Sequence, residues 1–297
     1  MPRTLSKSEL LGTAYTPEVF NELVAAYLST GAGIAGMQPK IMVPERPTVP
    51  IPSLIVKAAS PAYPGLAANE FLCLTAAQEA GIETPTFSLS DDGQMLVLDR
   101  FDLVVHDDGR VERLGFEDIA ALAGLRVRDI LSDRKYQGSY QRIAELLRQL
   151  QLHSDNLHRF FEQVAFSIMV RNGDAHLKNF GLLYRSSEDV WLAPMFDVVT
   201  TSIYTYTQYA GGPELEDRTL ALKLFAGKHH TKAYPTKEEL EDFGRRVCGV
   251  SQPTHTLERI AQAMHNTMEK AKGDPRVPQA LRTQMAQAWE SGYGYAK

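Results

Sequence analysis

Asn172-Gly173-Asp174-Ala175-His176-Leu177-Lys178-Asn179, followed 18 residues after Asn179 by Asp197 in Pro194-Met195-Phe196-Asp197-Val198, is the stretch whose reading decides the fold. An Asp, four residues, an Asn and a later Asp match the spacing with which kinase sites place a catalytic base and two magnesium ligands. Transfer of a γ-phosphoryl group needs positioning and charge neutralisation more than covalent help. Asp174 would accept the proton of the attacking hydroxyl. Asn179 and Asp197 offer the hard oxygen ligands that magnesium prefers. Lys178 could stand over the transferring phosphoryl as a point charge. His176 reads as a scaffold that hydrogen-bonds the loop backbone.

Working outward, the context supports the motif. An Asp-x-x-x-x-Asn string alone is often a capped turn, because both side chains bond nearby backbone. Here the apolar run Phe160 to Val170 reads as a buried helix ahead of it. Phe180 to Tyr184 and Val190 to Ala193 read as two short strands behind it. Helix, polar loop, hairpin and Asp is the order of a kinase C-lobe.

Upstream, Gly31-Ala32-Gly33-Ile34-Ala35-Gly36 satisfies G-x-G-x-x-G, a pattern shared by dinucleotide-binding turns and kinase phosphate loops. A dinucleotide fingerprint opens a helix and expects an acid about 20 residues on. Met37-Gln38-Pro39-Lys40-Ile41-Met42-Val43 instead runs into a strand, and residues 50 to 60 hold no carboxylate. They hold Ser53-Leu54-Ile55-Val56-Lys57-Ala58, a strand whose Lys57 reads as the phosphate-binding lysine, with Glu70 on a helix over Ala67 to Ala80 as its candidate partner.

Gly36 to Lys40, Ile55-Val56-Lys57, Tyr63 to Leu66 with Asn69-Glu70, Asp99-Arg100-Phe101-Asp102, Lys135 to Tyr140, Asn172 to Asn179 and Ala193 to Asp197 occur in one order. Together they resemble the successive blocks of HipA-family serine/threonine kinases over residues 30 to 205. The resemblance implies that Ala35, Gly36, Met37, Gln38, Pro39 and Lys40 form the phosphate loop and that Lys57 holds nucleotide phosphates. It places Asp99, Arg100, Phe101 and Asp102 at the hinge, with Asp99 and Phe101 binding adenine through backbone groups and Asp102 near the ribose. His176 and Asn179 join the nucleotide-contacting positions. It further implies ATP and Mg2+ as cofactors, and a toxin of a bacterial toxin-antitoxin module. Family members phosphorylate aminoacyl-tRNA synthetases and so inhibit translation. The expected partners are a protein substrate, a DNA-binding antitoxin and a small separate N-subdomain-like protein, since the stretch before the glycines is short, as in HipT-type toxins. That short stretch should leave an apolar N-lobe face for partners to cover. The matching loop residues Gly33-Ile34-Ala35 lack the Ser that the family often autophosphorylates, leaving Ser29 and Thr30 nearby.

With 297 residues, 44% of them hydrophobic, the chain has ample core material for one large domain or two lobes. Its net charge of -5 lacks the footprint of an autonomous nucleic-acid binder, so no direct sequence-specific nucleic-acid binding is expected. The basic group Arg126, Arg128, Arg134 and Lys135 reads as a solvated helix end and loop. No apolar run approaches 20 residues and no signal peptide is legible, which points to a cytoplasmic protein. Cys73 and Cys248 lack zinc-ligand spacing and read as core residues, and the His229-His230 pair as a solvated loop.

The expected fold is α+β and bilobal, protein-kinase-like, with a β-rich N-lobe (1–103) and a mainly helical C-lobe (104–297). Helices are predicted over 17–28, 116–124, 141–152, 157–171, 237–248, 255–272 and 278–290, with Gly211-Gly212-Pro213 and Asp217-Arg218 in a loop. The expected function is an ATP-dependent serine/threonine protein kinase. Alternatives are a small-molecule or lipid kinase, since aminoglycoside and phosphoinositide kinases share the Asp-to-Asn spacing, and a non-catalytic nucleotide-binding subunit of an antitoxin-DNA complex.

Overall fold

Alternation along Leu54–Ala58 organises the first half of the molecule, because successive side chains of a strand point to opposite faces. In the computed structural model, residues 6–16, 18–19, 21–23, 40–43, 53–58, 63–125, 133–207, 214–216 and 218–297 are described. Leu54–Ala58 lies in a four-stranded antiparallel sheet, in the order Lys40–Val43, Leu54–Ala58, Met95–Asp99, Phe87–Leu89. Lys40 stands opposite Lys57 in the register. Ala35 to Pro39, like Ser29, Thr30 and Gly33, lie outside the described residues.

Leu54, Val56 and Ala58 join Met95 and Val97 in a small core completed by Leu10 and Leu23. The opposite face carries Ile55, Leu96 and Leu98 toward the main core, and with them Lys57. Among the described residues, Leu10, Leu11, Tyr15, Val19 and Leu23 pack over this face of the sheet. Helix Lys7–Gly12 starts on a capping box in which Ser6 and Glu9 satisfy each other's backbone N–H groups. Residues 18–19 and 21–23 are helical, within the predicted 17–28.

Helix Leu66–Glu79 is apolar around most of its circumference, as a helix buried on all sides must be. It fills the space between the sheet and helix Pro253–Ala271. The main core continues through Phe160, Phe161, Phe166, Phe243 and Trp289. Helix Tyr140–Gln149 buries Tyr140, Ile143, Ala144 and Leu147, the one-face spacing of an amphipathic helix. Helix Gln279–Tyr293 crosses the end of Ser154–Met169 at Gly292, where an added Cβ would lie 2.1 Å from the Met169 carbonyl oxygen.

Three predicted elements differ. Residues 116–124 are not one helix: Gly115–Asp118 is a strand paired with Gly181–Tyr184, and only Ile119–Leu122 is helical. The reason is tertiary. Gly115 and Gly181 leave room for the Tyr184 and Phe116 rings, each of which a Cβ would strike at 2.2 and 2.5 Å. The stretch around 211–218 is partly a hairpin, since Glu214–Glu216 pairs with Thr205–Thr207; Gly211-Gly212-Pro213 and Asp217 lie outside the described residues. The helix predicted over 237–248 is α-helical at Lys237–Asp242 and continues as a π-turn over Phe243–Val247. Among the described residues no helix is long and apolar enough to cross a membrane. Cys73 and Cys248 are buried, and burial pushes both thiols up to about 12.

Candidate active site

Three turns after helix Ser154–Met169 build the polar loop. Arg171 adopts a left-handed φ of 61°, reversing the chain, and its carbonyl accepts hydrogen bonds from the Thr201 N–H and hydroxyl, both at 3.1 Å. The Thr201 hydroxyl in turn accepts the Gly173 N–H at 2.7 Å. Asn172 Oδ1 accepts the Asp174 N–H at 3.1 Å, the side-chain turn that Asn favours. The His176 N–H then closes on the Asp174 carbonyl at 2.7 Å, and the Asn179 N–H on the His176 carbonyl at 2.9 Å.

Two tyrosines brace this loop. Tyr140 donates its hydroxyl to the Ala175 carbonyl at 2.9 Å, and Tyr136 donates to Asp174 Oδ1 at 2.7 Å. The Asp174 side chain is 42% exposed and so remains open to an entering group. His176 scaffolds through its backbone: its ring is buried, packs edge-on to Tyr136 and leaves Nδ1 without a hydrogen-bond partner. Burial pushes its pKa below the usual range, against the pull of Asp174, so the imidazole is neutral. Lys178 forms an ion pair with Asp118, at the end of strand Gly115–Asp118.

Lys57 joins the two halves. Its Nζ donates to Glu70 and, at 2.7 Å, to Asp197 Oδ1. The Glu70 partner expected from sequence is therefore in contact. Lys57 and Glu70 are 4% and 0% exposed. Burial alone would lower the lysine pKa, but Asp197 and Glu70 outweigh it and hold the value above normal, so the ammonium stays charged. Asp197 adopts φ 57°, a left-handed conformation that Asp tolerates better than most residues, and Asn179 Nδ2 donates to its carbonyl at 3.2 Å. Asn179 and Asp197 are thereby brought together.

Asp99 gives its N–H to the Thr86 carbonyl, and its carboxylate accepts from Lys7 Nζ at 3.0 and 2.9 Å. Arg100 gives its N–H to the Ser53 carbonyl and its guanidinium to Asp102. Among the described residues neither the Phe101 nor the Asp102 N–H makes a backbone hydrogen bond. The Phe101 ring packs with Phe116 and Phe196 at centroid distances of 5.5 and 5.3 Å, tying the hinge to the residue before Asp197.

Among the described residues no three His, Cys, Asp or Glu side chains form a metal cluster. One carboxylate, Asp197, beside one amide, Asn179, fits an ion that brings most of its ligands as water and phosphate, which is magnesium's habit. Sequence reasoning gave no role to Tyr136, Asn69, Thr200, Thr201, Asp118 or Lys7. Tyr136 and Asn69 stood inside the quoted blocks, the signal that could have found them.

The chain belongs to the family described as the HipA-like C-terminal domain, whose model matches residues 32–272. A protein of Sinorhizobium fredii named as a candidate kinase, Y4dM, is 31% identical over 167 residues, covering 51% of this chain and 38% of that protein. A candidate kinase of Haemophilus influenzae is 27% identical over 212 residues, covering 66% of this chain and 58% of the relative. The chain spans 38% to 58% of the length of these two relatives. Among solved structures, HipA of Shewanella oneidensis, in a complex of the toxin-antitoxin system HipA, HipB and operator DNA, matches with a TM-score of 0.65 at 19% identity, over 89% of this chain and 64% of that one. The Helicobacter pylori proinflammatory kinase CtkA matches with a TM-score of 0.57 at 14% identity, over 88% and 90%. The fold is the bilobal, kinase-like α+β fold expected from the sequence.

Proposed function

We propose that this chain is an ATP-dependent serine/threonine protein kinase, with a lobe boundary near residue 103. The observation that carries the reading is the Lys57 bridge: one buried ammonium holds Glu70 from the N-lobe helix and Asp197 from the C-lobe, beside Asn179. The nucleotide would lie against the hinge at Asp99 to Asp102, its phosphates at Lys57 and the loop Ala35 to Lys40. Asn179 and Asp197 would hold magnesium, which when bound neutralises charge on the phosphates. Asp174, oriented by Tyr136, would take the proton of a Ser or Thr hydroxyl. Lys178, paired with Asp118, fixes the floor of the loop and lends positive charge near the transfer.

Family membership supports a toxin of a toxin-antitoxin module in the cytoplasm, with a DNA-binding antitoxin as partner and an aminoacyl-tRNA synthetase as candidate substrate. Purified chain incubated with labelled ATP, magnesium and bacterial lysate tests this. Label on a protein, lost in Asp174→Asn and Asp197→Asn, is expected. Label on a lipid or small metabolite, or undiminished transfer by Asp174→Asn, would overturn the reading.

A further inference from the structure

The loop that carries Asp174 is fastened at both ends to one short segment, and that segment also carries Asp197. At the far end, Asn179 Nδ2 donates to the Asp197 carbonyl at 3.2 Å. At the near end Thr201 closes on the loop: its N–H and its hydroxyl both donate to the Arg171 carbonyl at 3.1 Å, and the hydroxyl accepts the Gly173 N–H at 2.7 Å. Residues 171 to 179 are thus a span resting on residues 197 to 201, with Asp174 between the two supports. Each support has a left-handed corner, Arg171 at φ 61° and Asp197 at φ 57°, two of the three non-glycine residues of positive φ among the described residues. Such backbone persists only where its surroundings over-determine it.

We infer that Thr201 is a positioning residue for phosphoryl transfer: its hydroxyl fixes the backbone immediately before Asp174, so that the base is aimed from the segment that carries Asp197. The inference rests on the kinase reading and adds a residue to the same site. A hydroxyl suits the task because it is donor and acceptor at once. Bonded to the carbonyl before Asn172 and to the N–H after it, the Thr201 hydroxyl sets the width of the turn from which Asp174 projects. Tyr136 bonds the carboxylate itself, so the two residues act on different parts of Asp174. One position earlier, Thr200 is tied the other way, its N–H and carbonyl bonded to Asn69 beside Glu70. Two consecutive threonines therefore hold the base loop and the helix that carries Glu70 in one register.

The test is the initial rate of label transfer from ATP, with magnesium, into the proteins of a bacterial lysate, above a blank without the chain. KM for ATP and the melting temperature are taken on the same preparations. Thr201→Val and Thr201→Ala are each expected to lower the rate at saturating ATP roughly tenfold while KM stays within about twofold, because the bonds lost are made to the base loop. Thr201→Ser, which returns the hydroxyl, is expected to bring the rate back to within about threefold of wild type. Should the valine variant fail to fold, the alanine variant carries the test, since it removes the same hydroxyl without setting a methyl group against the Gly173 N–H. A purely structural role would lower the melting temperature with the rate per folded molecule unchanged. That result, a loss that Thr201→Ser shares, or a loss matched by an equal rise in KM would overturn the positioning role and leave transfer by Asp174 standing. No transfer above the blank by the wild-type chain, or transfer undiminished in Asp174→Asn, would overturn the kinase reading and the inference with it.

Discussion

Asn69 and Thr200 are joined by a two-point amide bridge: Thr200 N–H donates to Asn69 Oδ1 at 2.9 Å, and Asn69 Nδ2 donates to the Thr200 carbonyl at 3.0 Å. Asn69 immediately precedes Glu70, and Thr200 follows Asp197 by three positions, so the bridge closes a ring through Glu70, Lys57 and Asp197. Trp289 adds a third bond, Nε1 to the Thr200 hydroxyl at 2.8 Å. All three residues are fully buried. The helix carrying Glu70 is thus tied to the segment carrying Asp197.

Asn69→Leu should destabilise the chain more than Thr200→Val. The first leaves a buried N–H and a buried C=O unpaired, each costing about 1–3 kcal/mol; the second orphans the Trp289 donor and ends a weak 3.6 Å contact with Cys73 Sγ. Urea melts of both variants measure the difference. The reverse ranking would show that the bridge is not what secures the helix.

Lys57→Met should cost roughly 3–5 kcal/mol, because it strands the fully buried Glu70 charge between the sheet and the helix. Adding Glu70→Gln should recover most of that loss while leaving nucleotide binding abolished. Melting curves and ATP calorimetry read the two quantities separately. A double variant no more stable than Lys57→Met would dismiss the buried charge as the cause.

How much of this was legible in the sequence depends on the range of the contact. Lys57 and Glu70 are 13 residues apart on a strand and the helix that follows it, close enough that the sequence offered Glu70 as a candidate partner. Tyr136 and Asp174 are 38 apart, and Asn69 and Thr200 are 131 apart. Such pairings follow from how elements dock, which periodicity does not encode. Gly115–Asp118 misled for a related reason, since the close approach of Tyr184 and Phe116 at two glycines outweighs the helical pattern around Phe116. Leu10 and Leu23 likewise reach the sheet from a segment whose docking the sequence does not announce.

His176 should make the fold acid-sensitive. Its folded pKa is depressed below 6.5 by burial, so in the window from there down to the folded value the unfolded chain binds a proton that the native chain refuses. Stability is then full above about 6.5 and falls as pH drops through that window, by about 1.4 kcal/mol per unit of depression. His176→Phe keeps a ring against Tyr136 and should flatten this part of the profile. Chemical denaturation at pH 7.5, 6.5 and 5.5 would compare the slopes; parallel profiles for wild type and variant would remove His176 as the source.

Tyr136→Phe should slow phosphoryl transfer without weakening nucleotide binding. The ring, with Lys135 and Lys232 over it, is preserved, while Asp174 Oδ1 loses its donor. A hydrogen bond to a charged group is worth about 1.5–3 kcal/mol, which bounds the loss in kcat at roughly ten- to a hundredfold if the bond serves only to aim the carboxylate. Asp174→Asn, which removes the base itself, should lie at or beyond that range, at about 10²- to 10⁴-fold. Tyr136 touches neither Lys57 nor Asp197 among the described contacts, so the affinity for magnesium and ATP should be unchanged. Single-turnover transfer and calorimetry on the same variant distinguish the two effects. An unchanged kcat would show that Asp174 needs no aiming from Tyr136, and a matching loss of ATP affinity would show that the tyrosine supports the nucleotide side instead.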